Sequence, residues 1–365
     1  MKSSHRAGLE NFPPYRQGKT PQSINGFEPH KLSSNENPFP PLPSVVAAVA
    51  QELGNINLYP DIGAAELRHS LALHWSVSPE NIAVGAGSVE VASQIIHAVT
   101  NPGDLVMFAW RSFEAYPLLA TVAGAVPQPI ALNPEGGHDL DAMAAAVTAR
   151  TKLVFLCNPN NPNGVVLESA AVEAFLQKIP SDTVVVLDEA YIQFNRSADT
   201  AIGIELFRKY PNVAVLHTFS KAYGLAGLRI GYAIAASSLI ENLQKVAVPF
   251  AVSALAQRAA MESLRSGAEL QERVDVIVSE RRRVTDGLLD AGLPVWPSEA
   301  NFVWIDSGSG TAALAEVLAG HALSVRVFPE EGLRVTIGSP EANDRLLDAA
   351  RQAAESFDTV PSQRS

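Results

Sequence analysis

Val184-Val185-Val186-Leu187-Asp188-Glu189-Ala190-Tyr191 is the stretch that decides the fold class. It places four apolar residues in a row, three of them β-branched, before a pair of carboxylates. Such a run has the length of a strand and no polar alternate position. A strand that is apolar on both faces belongs in a sheet covered on both faces. Read as Thr183 to Leu187, this strand is flanked by two of the same kind, Lys152 to Cys157 and Val213 to His217. Each of the three leads into a polar loop. The pattern predicts an α/β protein with a mostly parallel central sheet covered by helices. In such sheets ligands bind beyond the carboxyl ends of the strands.

Outward from these strands the chain keeps alternating. Helices are expected at Val45 to Leu53, Ala64 to Trp75, Ser88 to Val99 and Tyr116 to Ala123. Strands are expected at Asn81 to Val84, Leu105 to Phe108 and Pro129 to Leu132. Ala251 to Leu289 reads as one long helix, with Arg281, Arg282 and Arg283 as a solvated basic face. Strands near Asn301 to Ile305, Ser324 to Val327 and Leu333 to Ile337, then a final helix, form a smaller α+β unit. Residues 1–44 are rich in Pro, Asn and Ser and read as an arm that joins the smaller unit. The division is 1–44 arm, 45–250 large domain and 251–365 small domain.

With 365 residues the chain is long enough for such a pair of domains. Lys plus Arg number 27 and Asp plus Glu 38, a net charge of -11, which argues against nucleic acid or an anionic membrane as partner. A lone cysteine, Cys157, permits no internal disulfide and reads as strand packing. No apolar stretch follows Lys2, His5 and Arg6, so no signal peptide is expected, and no run has membrane-spanning length. A cytoplasmic protein is the expectation. The histidines show no metal-ligand spacing, and His217 reads as packing, so no metal is expected.

Four motifs carry chemistry. In Thr218-Phe219-Ser220-Lys221-Ala222-Tyr223-Gly224-Leu225-Ala226-Gly227-Leu228-Arg229, a lysine follows an apolar strand. Desolvation there lowers its pKa and makes the amine nucleophilic toward an aldehyde. Thr218, Ser220 and Arg229 offer donors suited to a phosphate. Asp188, at a strand end, suits a cofactor ring nitrogen that must stay protonated. Tyr191 is placed to reach a ring hydroxyl. An Asp-Glu pair also serves as a magnesium site in nucleotide-hydrolysing enzymes, but no complete Gly-x-x-x-x-Gly-Lys-Ser/Thr loop accompanies it. In Asn158-Pro159-Asn160-Asn161-Pro162-Asn163-Gly164, the prolines fix a turn that presents Asn161. Gly85-Ala86-Gly87-Ser88-Val89-Glu90 opens a helix with backbone N–H groups free for a phosphate, though alone it reads equally as a Ser88 cap. Together the four converge on one cofactor with a phosphate, a ring nitrogen, a ring oxygen and an aldehyde.

Here the chain resembles the fold-type I, aspartate-aminotransferase-like enzymes that use pyridoxal 5'-phosphate, in the histidinol-phosphate aminotransferase branch. The match runs from Leu32-Ser33-Ser34-Asn35-Glu36-Asn37-Pro38 to Gly332-Leu333-Arg334-Val335-Thr336-Ile337-Gly338. Trp110-Arg111-Ser112-Phe113-Glu114-Ala115-Tyr116-Pro117 and the Lys221 segment look most like the aromatic amino acid subgroup. The resemblance implies that Lys221 bonds the cofactor aldehyde and shuttles the proton. Asp188 would pair with the ring nitrogen, Tyr191 and Asn161 with the ring oxygen, and Phe113 would stack on the ring. Ser88 and Val89, with Thr218, Ser220 and Arg229, would hold the phosphate. Tyr59 would reach the phosphate of a neighbouring subunit, which implies a homodimer. Arg334 would clamp the substrate carboxylate, Arg326 a distal anion, and Tyr15 with Phe113 would flank an aromatic side chain.

Two positions depart from the pattern. Phe113 stands where the histidinol-phosphate enzymes carry Tyr, which bears on substrate choice. Asn163 stands where Thr or Ser is common, which bears only on the turn. Aromatic amino acids with 2-oxoglutarate are the expected substrates, and histidinol phosphate is the nearest rival. A decarboxylating lyase would release carbon dioxide without a keto acid. A regulator on this fold would need an added DNA-binding domain, for which the N-terminus has no spare length.

Overall fold

The apolar runs become strands, and the helices between them cover both faces. A computed structural model of the chain describes residues 22–24 and 26–358. The first part runs β1 (His30–Lys31), α1 (Pro43–Glu52), α2 (Ala65–Trp75), β2 (Ile82–Gly85), α3 (Ser88–Val99), β3 (Leu105–Trp110), α4 (Ala115–Ala123) and β4 (Val126–Ala131). It continues through α5 (Leu140–Ala146), β5 (Thr151–Cys157), α6 (Ser169–Lys178), β6 (Val184–Asp188), α7 (Gly203–Lys209), β7 (Val213–Thr218), β8 (Gly231–Ile234) and α8 (Ser237–Val246). There follow α9 (Ala254–Arg265), α10 (Gly267–Asp290), β9 (Val295–Trp296), β10 (Phe302–Ile305), α11 (Thr311–Gly320), β11 (Leu323–Ser324), β12 (Arg326–Phe328), β13 (Gly332–Thr336) and α12 (Pro340–Asp358).

Among the described residues, seven strands form the main sheet in the order β2-β8-β7-β6-β5-β3-β4. Only β8 runs against the others, because it pairs antiparallel with both β2 and β7. Alternate residues of each central strand enter opposite cores. Leu153, Phe155 and Cys157 join the core under α3, α4 and α8. Val154 and Leu156 join the other, with Val172, Phe175 and Leu176 of α6. Two filled faces explain why these strands show no polar alternation. The register aligns Cys157 with Asp188, and Thr218 with Gly231, along one edge of the sheet.

The second sheet is antiparallel, in the order β12-β13-β10-β9, and packs against α10 and α11. The segment after β1 is tied to it. β1 pairs with β11, the Leu32 N–H donates to Ser324 O at 2.7 Å, and the Thr336 N–H donates to Leu32 O at 2.8 Å. This tie delivers residues 33–37 to the open edge of the main sheet.

Two expectations need correcting. The run from Ala251 to Leu289 is two helices, because α9 ends at Arg265 and α10 begins at Gly267, with Ser266 between them. Ser253 caps α9 by accepting from the Ala256 N–H at 3.2 Å. The apolar period continues across the break, which hides it from the sequence. Arg281 is not on a solvated face. It is buried, and its guanidinium donates to Phe194 O, Ala300 O and the Glu299 carboxylate at 3.1, 2.9 and 2.7 Å.

Candidate active site

The carboxyl ends of β2, β5, β6 and β7 converge on a cavity of about 490 Å³, within the range of small-molecule sites. Its floor at one end is the start of α3. Gly87 has φ +89°, and a Cβ there would lie 2.3 Å from Arg229 Nη2. A Cβ on Gly231 would lie 2.4 Å from the Ser88 backbone nitrogen. The two glycines therefore let β8, Arg229 and the helix start approach closely. Arg229 is itself left-handed at φ +54°, and its Nη1 donates to Ala226 O at 2.9 Å and Ser220 Oγ at 3.4 Å. Thr218 and Ser220 line the same corner. Helix-start N–H groups, two hydroxyls and a guanidinium make a cradle for an anion.

Asp188 ends β6, buried in the cavity wall. Tyr116 of α4 donates its hydroxyl to Asp188 Oδ2 at 2.6 Å, and the Ala190 N–H donates to Oδ1 at 3.3 Å. Burial pushes the Asp188 carboxyl up to about 6, against the pull of these two donors. Tyr116 is held by stacking on Phe155, with ring centroids 4.4 Å apart. Cys157 also faces the cavity, and burial raises its thiol far above the ordinary range, so it stays protonated. That adds a cavity-lining role to the strand packing expected of it.

Lys221 follows β7 by three residues. Its Nζ donates to Ser34 O at 3.0 Å. Burial first, then the charge of Arg334, brings its ammonium down to about 7. Asn37 clamps the loop by donating Nδ2 to Lys221 O and Ala222 O at 3.1 and 2.9 Å. Asn35, buried at φ +54°, donates Nδ2 to the Tyr191 hydroxyl at 2.9 Å. Its own N–H donates to Thr336 Oγ1 at 2.9 Å.

Arg334 of β13 closes the far side. Its Nη1 donates to Asn161 Oδ1 at 2.6 Å and its Nη2 to Ser33 O at 2.7 Å. Asn161 sits in a turn stapled by its asparagine neighbours as well as by prolines. Asn160 accepts from Ser112 Oγ at 2.7 Å and donates to Asn163 Oδ1 at 3.0 Å, and Asn163 donates to Gly136 O at 2.7 Å. Arg326 of β12 pairs with Glu114 at 2.6 Å.

Of the residues read from the sequence, Lys221, Asp188, Tyr191, Asn161, Phe113, Ser88, Val89, Thr218, Ser220, Arg229, Arg334 and Arg326 all line this one cavity. Tyr59 does not. It is 82% exposed and stacks on Phe250 at 4.6 Å. Tyr15 lies outside the described residues, as does Gly18-Lys19-Thr20, which has Pro13 where a phosphate loop needs Gly. His217 is packing: it is buried between Trp75 and Tyr232, with centroids at 4.8 and 5.0 Å. Sequence reasoning missed Tyr116, Asn35, Ser34, Asn37 and the apolar wall of Ala115, Leu118 and Leu119. The Asn35-Glu36-Asn37-Pro38 cluster, dense in turn formers, was the available signal for the second and fourth.

The residues present fit pyridoxal phosphate. The glycine-lined cradle has room and donors for a phosphate, the buried Asp188 would suit a protonated ring nitrogen, and the Lys221 amine, near 7, would serve as a nucleophile for an aldehyde. When bound, that group supplies an electron sink for negative charge on a substrate carbon.

A doubly wound sheet with a depressed lysine, a buried carboxylate and an anion cradle around one cavity defines an enzyme of amine and carbonyl chemistry. The chain belongs to the family of aminotransferases of class I and II, whose sequence pattern matches residues 28–349. It is 49% identical over 355 residues to a Cutibacterium acnes protein named aromatic amino acid aminotransferase, covering 97% of this chain and 100% of that one. A Streptomyces coelicolor protein of the same name is 50% identical over 347 residues, covering 95% and 96%. Among solved structures, the histidinol-phosphate aminotransferase of Sinorhizobium meliloti, in complex with pyridoxal-5'-phosphate, has a TM-score of 0.83 at 30% identity, over 92% of each chain. The fold is the aspartate-aminotransferase-like fold type I.

Proposed function

We propose that this protein moves the amino group of aromatic amino acids, mainly phenylalanine and tyrosine, to 2-oxoglutarate, with pyridoxal 5'-phosphate as cofactor. The observation that carries this reading is the cavity's division. Phe113, Ala115, Leu118 and Leu119 make one apolar wall, and the buried Arg334 stands on another. An aromatic side chain suits the first, and an α-carboxylate suits the fork of the second. The names of the relatives near 50% identity support the same substrates.

In this reading Lys221 would hold the cofactor at its aldehyde carbon, and its amine, brought down to about 7, would move the proton at the substrate α-carbon. Asp188 keeps the ring nitrogen protonated, with Tyr116 holding the carboxylate in place. Tyr191 and Asn161 would hold the ring oxygen, and Phe113 would pack on the ring. Ser88, Val89, Thr218, Ser220 and Arg229 hold the phosphate. Arg334 orients the carboxylate, and Arg326 meets a distal anion.

Two copies pair in this reading, so that Tyr59 reaches its partner's phosphate. Ile56, Leu58, Ile62 and Val248 are each more than 60% exposed near it, an apolar surface that suits a partner. Sedimentation of the purified protein as a monomer would refute the pairing. The division into an arm, a large unit of 45–250 and a small unit of 251–365 is retained. The placing of one sheet within 82–234 and the other within 295–336 supports it. No helix among the described residues is long and apolar enough to cross a membrane. The single cysteine supports a cytoplasmic location.

The deciding experiment compares specificity constants for phenylalanine, tyrosine and histidinol phosphate with 2-oxoglutarate as acceptor. Preference for phenylalanine or tyrosine is expected. Preference for histidinol phosphate would overturn the aromatic reading and leave the aminotransferase class intact.

A further inference from the structure

Arg326 and Arg334 stand directly opposite each other on the antiparallel pair β12–β13, and both line the cavity. Residues so paired share a face, with Cβ atoms about 5 Å apart, and like charges there are destabilising. Each guanidinium therefore favours an anion nearby. For Arg326 the chain supplies one. Its Nη2 and Nε both donate to Glu114 Oε2, at 2.6 and 3.2 Å. Glu114 immediately follows Phe113 and precedes α4, whose Ala115, Leu118 and Leu119 form the apolar wall. The pair is reachable, with the Arg326 side chain 16% exposed and that of Glu114 29%.

An aminotransferase of this kind must take two side chains in one place. An aromatic ring brings no charge, whereas 2-oxoglutarate brings a second carboxylate. A five-carbon diacid anchored at Arg334 has the length to reach the arginine opposite. We propose that Glu114 is the residue that lets one pocket accept both: it holds Arg326 while an aromatic ring lies on the wall, and the distal carboxylate displaces it. The exchange replaces one carboxylate by another on the same guanidinium, and the released Glu114 carboxylate rehydrates. Its free-energy change is therefore small, and neither substrate leaves the partly buried Arg326 without a counter-ion. Glu114 acts through Arg326 and is a positioning residue. This inference rests on the aromatic reading above.

The test uses two acids that bind but do not react, glutarate and 3-phenylpropionate. Their dissociation constants are measured by calorimetry on cofactor-loaded wild type, Glu114→Gln, Glu114→Asp and Arg326→Met. Removing the competing carboxylate in Glu114→Gln should favour glutarate over 3-phenylpropionate by about tenfold relative to wild type. Arg326→Met should disfavour it by about tenfold, and Glu114→Asp should lie between wild type and Glu114→Gln. A structural tie alone predicts that the first two variants weaken both acids alike, with matching losses in melting temperature. That result, or a ratio within about twofold of wild type in Glu114→Gln, overturns the proposal. The aromatic reading fails on a different measurement, a wild-type preference for histidinol phosphate over phenylalanine.

Discussion

Tyr116→Phe tests the electrostatics beneath the cofactor site. The substitution keeps the ring that stacks on Phe155 and removes one hydroxyl, the donor to Asp188 Oδ2 at 2.6 Å. A hydrogen bond to a charged group is worth about 2 kcal/mol, which corresponds to about 1.5 pKa units. Asp188 already titrates near 6 because it is buried, and losing a donor to its ionised form raises it further, to roughly 7.5. Holding a protonated ring nitrogen requires the ionised carboxylate. The ratio of cofactor dissociation constants, variant over wild type, is then about 16 at pH 6, about 4 at pH 7 and about 1 at pH 9. Lys221 also titrates in this window, but it is common to both proteins and cancels in the ratio. The assay is cofactor titration of the stripped enzyme across that pH range. A ratio that does not change with pH would refute the coupling between Tyr116 and Asp188, whatever its size.

Other substitutions probe the remaining groups. Lys221→Ala should abolish transamination and the covalent link to the cofactor, read as the absence of borohydride-fixed label on the denatured chain. Arg334→Lys keeps the charge but loses the fork that engages Asn161 and Ser33. It should lower kcat/KM for phenylalanine about 100-fold, near 3 kcal/mol, with a much smaller change in cofactor affinity. Glu189 is buried near His217 at 3.4 Å, accepts the Gly203 N–H at 2.6 Å, and is pushed up to about 8 by burial. A carboxyl raised in the folded state keeps its proton longer than the unfolded chain does. Its contribution is therefore full below about 4.5 and is lost as pH rises to about 8, by a few kcal/mol. Glu189→Gln should remove that decline, so the gap in urea midpoint between variant and wild type widens in the variant's favour from pH 5 to pH 8. A constant gap would show that Glu189 is ionised throughout.

What the sequence made legible follows from where each residue gets its position. Asp188, Lys221 and Asn161 each stand within four residues of the end of a continuously apolar strand, so the strand alone aims them at the open edge of the sheet. The strand β8 escaped because Gly231-Tyr232-Ala233-Ile234 is short and follows a loop that commanded attention for its own chemistry. Tyr116 escaped for another reason. On its helix it is one more apolar position, and only stacking on Phe155 turns its hydroxyl toward Asp188. Asn35 and Ser34 reach the site from a polar arm through a two-residue pairing of β1 with β11, a contact between positions nearly 300 apart that leaves no periodic trace. Arg281 differs from these, since its signal was present. Ile277, Val278, Val284 and Leu288 are buried on the same helix, and Arg281 falls on their face at helical spacing. An arginine in that register has to be buried with acceptors or break the face, and Phe194 O, Ala300 O and Glu299 are the acceptors. Charge clusters on helices are therefore better read one face at a time than as a run. By that rule Arg281 ties α10 to the loop before β10, while Arg283, on the other face, pairs at the surface with Glu280 and Asp344.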